Sequence, residues 1–243
     1  MIDIVIPNYV TAASLPIVLR CLYSVRQCSP DARLIFVDNA SPTLDALLPE
    51  LAHHKDVVRI LNQTNLGFVK AVNQGLRAST ADYVVLLNND TEVVPGWLEK
   101  MLAAFIGKVG IVGPRSNPNG TLSCQLPYRT ATILPPGQML VFFCVIISRA
   151  VIEKVGLLDE EFGVGLGDDD EYCWRAQQAG FDLCFLGDLT ILHHHKTTFN
   201  QLFTQAQIRD MGWNAVDIIR RKATGSAIVP EVLRRCPPGS RPH

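Results

Sequence analysis

The strongest constraint on the fold is a set of short apolar runs that stop abruptly in polar groups. "DIVIP" ends at Asn8, "RLIFV" at Asp38 and Asn39, and "YVVLL" at Asn88, Asn89 and Asp90. Such runs, bounded by turn residues, read as strands buried on both faces. Segments with helical spacing lie between them. Leu15, Val18, Leu19, Leu22 and Val25 follow the first run; a short helix is expected over about 43–52. After the strand "VVRIL", Phe68, Val72 and Leu76 form the stripe of a helix over 67–79, and "WLEKMLAAF" follows the fourth strand. With a further strand at 109–114, this alternation predicts an α/β fold: a mostly parallel central sheet with helices on both faces, Rossmann-like. In such sheets ligands bind at the carboxyl ends of the strands. The polar endings are therefore the first candidates for a site.

The pattern changes after residue 114. Residues 115–137 are rich in Pro, Asn, Gly and Thr, too long for a simple connector and so expected to be functional or mobile. A strand over 139–147, a helix over 149–155, an acidic segment "GVGLGDDDEYCWRAQQAG", strands over 182–187 and 189–193 and a helix of about 202–222 complete the reading. This gives one domain over 1–200, in halves of 1–114 and 115–200, and a C-terminal region over 201–243 made of a helix and a flexible basic tail.

Composition limits the function classes. Hydrophobic residues at 48% and charged residues at 19% suit a globular core. A net charge of −1 gives no global field for nucleic acid or membrane. The charge is uneven, because Arg220, Arg221, Lys222, Arg234, Arg235 and Arg241 face only Glu231 at the C-terminal end. That end reads as a solvated tail or, more sharply, as a weak electrostatic hold on an anionic membrane surface. The cysteines are scattered without C-x-x-C or zinc-site spacing, which points to a reducing compartment. "MIDIVIPNY" reads as a strand rather than a signal peptide, and 139–147 is too short to span a bilayer. A cytoplasmic setting, at most at the inner face of the membrane, is expected.

Each candidate residue has a plain alternative. Alternation along an extended strand puts Asn88 and Asp90 on one side and Asn89 on the other. Asp90 could hold Mg²⁺ or Mn²⁺ against a diphosphate, or form an Asx turn before "PGWLEK". Asp38 could accept from a base imide N–H or initiate the turn at Asn-Ala-Ser-Pro. Lys70 and Asn73 lie three apart, opposite the Phe68 stripe, and Gly67 leaves room for a ligand to approach. Lys70 could equally be a solvated surface lysine. The acids Asp168 to Glu171 could cap a helix, but four like charges exceed that need and raise one another's pKa. Of "LHHHK", His193 and His195 can converge on one side of a strand, or His194 alone on the other. One of them could join Asp90 on a metal; a three-His zinc site is excluded by the same geometry.

Taken in order, "IVIPNY", "IFVDNASP", "NLGFVKAVNQGL", "YVVLLNNDTEVVPGWLE", "GLLDEEF", "GDDDEYCWRAQQAGF" and "LHHHKTTF" resemble the family 2 glycosyltransferases over about 3–200. The resemblance implies a GT-A fold with a nucleotide-sugar-binding first half and an acceptor-side second half. It implies that Pro7, Asn8 and Asp38 hold base and ribose, and that Gly67, Lys70 and Asn73 line the donor pocket. Asn88, Asn89 and Asp90 take the place of the metal-binding D-x-D element, with Asn88 in place of its first acid. Asp169, behind Asp168, takes the place of the catalytic base, and a histidine of 193–195 completes the metal or diphosphate site. The implied reaction is inverting transfer from a uridine- or thymidine-diphosphate sugar to a hydroxyl of a glycan or lipid-linked glycan, with Mg²⁺ or Mn²⁺. A nucleotidyltransferase is the alternative enzyme, disfavoured because "PNYVTAASLP" has neither glycine nor base; a catalytically silent sugar-nucleotide binding module is the alternative outside catalysis.

Overall fold

The computed structural model describes residues 1–117, 130–194, 202–237 and 239. The elements run β1 (Ile2–Asn8), α1 (Leu15–Cys28), β2 (Arg33–Asp38), α2 (Leu48–Leu51), β3 (Val57–Leu61), α3 (Phe68–Ala78), β4 (Tyr83–Leu87), β5 (Thr91–Glu92) and α4 (Trp97–Leu102). They continue through β6 (Val109–Ser116), β7 (Ala131–Ile133), β8 (Cys144–Ser148), α5 (Arg149–Val155), α6 (Asp168–Gln178), β9 (Asp182–His193), α7 (Gln205–Lys222) and α8 (Glu231–Arg235). The strands form one sheet in the order β3-β2-β1-β4-β8-β6-β9-β5, with β7 also on β9.

The first half is parallel throughout, as the apolar runs predict. Beyond β4 the sheet is mixed: β8 runs antiparallel to β4 and β6, while β9 is parallel to β6. The GT-A expectation stands with this mixed second half. The expected strand over 139–147 begins only at Cys144, and the expected strands over 182–187 and 189–193 are one strand with a register irregularity opposite Pro114 and Arg115. The helix expected over 43–52 is divided into a 3₁₀ turn, Leu44–Ala46, and the single turn of α2, which has proline near its start.

Alternation along the strands builds a core on each face. Ile4, Ile6, Leu34 and Phe36 pack with α1 and α4, while Val5, Ile35 and Val37 pack with α3, α5, α6 and α7. Trp97 is fully buried, and its indole N–H donates to Ser29 Oγ at 2.8 Å, so its polar handle is satisfied.

The C-terminal end departs from a free basic tail. Val232 and Leu233 of α8 pack against the α3–α6 core, and the Glu231 N–H donates to Gly137 O at 2.7 Å. Arg220 pairs with Asp217, Arg221 with Glu161 and Lys222 with Asp159; Arg234 and Arg235 share Glu231. Each of these five basic residues thus has an acidic partner within the chain. Arg241 and most of the 115–137 segment lie outside the described residues. Among the described residues no helix is long and apolar enough to cross a membrane.

Candidate active site

The register of β1 and β2 sets Asn8 beside Asp38 at the carboxyl rim of the sheet. Asn8 Nδ2 donates to Asp38 Oδ1 at 2.8 Å, and Asn8 Oδ1 accepts from Asn89 Nδ2 at 2.7 Å. Ser41 closes the turn after β2: its N–H donates to Asp38 Oδ2 at 2.9 Å and its hydroxyl to Asp38 Oδ1 at 2.5 Å. Asp38, 1% exposed, therefore forms the turn after β2 at the rim of the sheet. Sequence reasoning took Ser41 only as punctuation; a Ser three residues after an Asp that ends a strand is the signal that could have found it. Pro7 is buried opposite Val37, one residue short of the rim.

Two donor-pocket expectations change at α3. Asn73 is fully buried on the same side as Val72 and Leu76 rather than opposite them. Its amide donates to Leu158 O at 2.9 Å and accepts from the Leu158 N–H at 3.0 Å, so it clamps backbone to backbone. Gly67 has φ +86°, and a Cβ there would lie 2.8 Å from Gly163 O. The protein's own 163–164 backbone approaches Gly67 closely. Lys70 is exposed, within the field of Glu160.

The strand pattern also ends sooner than expected. β4 stops at Leu87, and Asn89 and Asp90 form a turn into β5, so strand alternation does not govern them. Instead Asn89 reaches Asn8, and Asp90 Oδ1 lies 3.1 Å from His193 Nε2. Pairing of β5 with β9 opposes Thr91 to His193 and brings the two elements together. The His193 N–H donates to Asn117 Oδ1 at 2.7 Å, and its ring stacks on Phe143 with centroids 4.9 Å apart and planes at 11°. His194 points elsewhere, to Glu92 Oε1 at 2.7 Å, which Arg20 also holds. His195 lies outside the described residues.

The acidic run opens α6 behind the "GVGLG" turn, in which Gly163, Gly165, Leu166 and Gly167 all have positive φ. Only at Leu166, φ +74°, does a side chain pay for that conformation. Asp168 is 4% exposed; burial, and then the neighbouring Asp169 carboxylate, push its pKa well up. Burial also raises Asp169, to about 6, while N–H groups of Asp170 and Phe142 pull it back towards the charged form. Asp170 is raised by burial and then by Asp169 and Asp168. Glu171 is bound up in structure instead. Arg175 holds it at 2.8 and 2.9 Å and reaches Val155 O and Leu157 O, tying α6 to the chain after α5.

One dipeptide joins the two acidic centres. The Phe142 N–H bonds Asp169, while Phe143 O accepts from the Asn88 N–H at 2.8 Å and the Phe143 ring carries His193. Asp38, Asn8, Asn89, Asp90, His193, Phe143, Phe142 and Asp169 thus form one continuous chain of contacts. The sequence reading missed the part played by Phe142 and Phe143, because two aromatic residues inside "MLVFFCVIIS" look like core.

Asp90 and His193 are the side chains best placed to receive a cation. They present an oxygen and an imidazole nitrogen close together and nearly buried, at 11% and 8% side-chain exposure. Among the described residues no group of three or more His, Cys, Asp and Glu side chains converges on a metal position. The Asp90–His193 pair could supply two ligands to a divalent cation.

The profile described as Glycosyl transferase family 2 matches residues 3–156. The pre-mycofactocin glycosyltransferase of Mycobacterium tuberculosis is 28% identical over 217 residues, covering 83% of this chain and 43% of that protein. The chain thus spans less than half the length of that relative. Among solved structures, the mannosyltransferase PcManGT from Pyrobaculum calidifontis, in complex with GDP-Man and Mn²⁺, superposes with a TM-score of 0.69 at 16% identity, over 96% of this chain and 67% of the other. S. aureus TarS in complex with UDP-GlcNAc gives 0.67 at 13% identity, over 93% and 67%. These likenesses establish the GT-A fold. With the profile covering most of the chain, it belongs to the family 2 glycosyltransferases.

Proposed function

We propose that this chain moves a sugar from a uridine- or thymidine-diphosphate donor to an acceptor hydroxyl on a glycan or lipid-linked glycan, with inversion at the anomeric carbon. The carrying observation is the Phe142–Phe143 dipeptide, with the Asp169 carboxylate at one residue and the Asp90–His193 pair at the other. A base and a diphosphate-binding pair held by neighbouring residues of one short segment suit a transfer in which acceptor hydroxyl and leaving group meet at one sugar carbon.

The roles follow from chemistry. Asp38 already accepts three hydrogen bonds from Asn8 and Ser41, and its remaining capacity on Oδ2 suits the imide N–H of uracil or thymine. Asn8 and Asn89 fix the rim on which that base and its ribose would lie. Asp90 and His193 would hold Mn²⁺ or Mg²⁺ together with the diphosphate, and such an ion, when bound, stabilises the negative charge that grows on the leaving group. Asp169 takes the acceptor hydroxyl proton as the new O–C bond forms. The bond from the anomeric carbon to the diphosphate oxygen breaks, and the nucleoside diphosphate departs. The raised pKa of Asp169, about 6, makes it a stronger base than an ordinary carboxylate while leaving it ionised at neutral pH.

The test is a panel of UDP-glucose, UDP-GlcNAc and dTDP-glucose with Mn²⁺, followed by chromatography of the nucleotide products. Slow release of nucleoside diphosphate, lost in Asp169→Asn, is expected from at least one donor. Tight donor binding with no release in any condition would mark a silent binding module, and pyrophosphate released from a nucleoside triphosphate would mark a nucleotidyltransferase.

A further inference from the structure

A cavity of about 80 Å³ lies between the 138–141 segment, β6, β9 and α8. Met139, Leu140, Phe185 and Val232 are among its apolar lining, and Gln138, Asp170, Glu231 and Arg235 are its polar groups. Leu140 and Phe185, 2% and 1% exposed, form its buried floor, while Val232 is half-buried and Arg235 exposed at its mouth. An apolar recess that opens to the surface leaves its floor ready to bury apolar area from a ligand.

Its position gives the recess a use. The Asp170 N–H donates to Asp169 Oδ1 at 3.0 Å, and Leu140 and Val141 lead directly into Phe142, whose N–H also reaches Asp169. The cavity is thus one residue from the base along two separate stretches of chain. Arg235 is engaged with Glu231 at 3.3 Å. The Asp170 carboxyl is raised by burial and then by Asp169 and Asp168, with Arg235 opposing. An occupant there needs an apolar body with little charge.

We propose that this cavity is an acceptor subsite that receives a compact apolar group, a hydrocarbon chain or aromatic ring, covalently attached to the acceptor, while the hydroxyl of the same molecule lies at Asp169. The inference rests on Asp169 being the base of the proposed transfer. It adds that the acceptor is amphiphilic near its reacting end, and that α8 forms one wall of the pocket that selects it.

The test uses the full chain and straight-chain alcohols from 1-propanol to 1-octanol, with dissociation constants read by ligand-observed NMR without donor. Affinity is expected to rise about fourfold per methylene and then level off as the cavity fills. Val232→Trp should flatten the series, with UDP binding as the control for folding. Val232→Ala enlarges the space and should carry the rise to a longer alcohol, which keeps the test decisive should the tryptophan variant fail to fold. A flat series in the wild-type chain, or a rising series that neither variant alters, overturns the subsite. Chain-length dependence without donor turnover would refute the transferase reading alone; donor turnover without chain-length dependence would refute the subsite alone.

Discussion

His193 Nε2 lies 3.1 Å from Asp90 Oδ1, and the two residues come from opposite halves of the chain. Three separate restraints hold the contact. β5 pairs with β9, the His194 N–H donates to Asp90 O at 2.9 Å, and the imidazole lies flat on Phe143. Few rotatable bonds remain to be ordered when a ligand arrives, so the pair is preorganised.

From this follows the metal prediction. Asp90→Ala should abolish the part of UDP affinity that depends on Mn²⁺, and His193→Ala should weaken it about tenfold or more. Calorimetry with UDP, with and without Mn²⁺, reads both. Equal affinity in the wild-type chain with and without the metal would remove the cation from the reaction.

Asp169→Asn keeps the size of the side chain and removes the base. Turnover should fall by about 10²–10⁴-fold, with UDP affinity within about twofold of wild type. In the wild-type chain kcat should climb with pH through the raised pKa of Asp169, near 6. A variant that turns over within a few-fold of wild type would transfer the role of base to Asp168 or Asp170.

Much of this arrangement was legible in the sequence, and the failures share a physical cause. Apolar runs with polar endings pointed to the parallel half of the sheet and the rim of Asn8, Asp38 and Asn89, because a buried strand has few other ways to end. Contacts made by backbone reversal were not legible. Periodicity extended past Leu87 put Asn88 and Asp90 on one side, whereas a turn sends Asn89 to Asn8 and Asp90 to His193. The helical wheel set Asn73 beside Lys70, yet a buried asparagine can face the core when a neighbouring backbone offers it both a donor and an acceptor, as Leu158 does. A single-chain pattern carries no information on that partner, 85 residues away.

Gly67 tests the structural account of a residue whose sequence context suggests a donor-pocket lining. Gly67→Ala must adopt φ +86° and place Cβ 2.8 Å from Gly163 O. Gly96→Ala must adopt φ +76° but meets nothing within 4 Å. The second substitution should cost about 1–2 kcal/mol, the ordinary left-handed penalty. The first should cost more, by about 1–3 kcal/mol, because ψ 167° adds an extended positive-φ strain and the Cβ meets Gly163 O. Urea denaturation of the pair reads the difference. Equal losses would mean that the 163–164 backbone yields freely and that Gly67 is not needed for this contact.

The acidic helix start predicts an unusual pH dependence of stability. Asp168 and Asp169 have folded-state pKa values above the unfolded one, because burial, and for Asp168 also its neighbour, disfavour the charged forms. The folded chain therefore holds protons that the unfolded chain releases. Their contribution is fully present below the ordinary carboxylate value of 3.8 and is lost as pH rises towards about 8, the raised value at Asp168. Asp168→Asn removes a charge that the fold solvates poorly. It should raise Tm at pH 8 by at least about 2–4 °C, the shift that 1 kcal/mol gives in a domain of this size. At pH 3, below the ordinary carboxylate value of 3.8, Asp168 is largely neutral in folded and unfolded chains alike, and the two proteins should melt close together. Scanning calorimetry from pH 3 to 8 checks the sign: a variant that loses stability as the pH rises, relative to wild type, would mean that Asp168 is held as a paired, favourable charge and would overturn this account of the site's electrostatics.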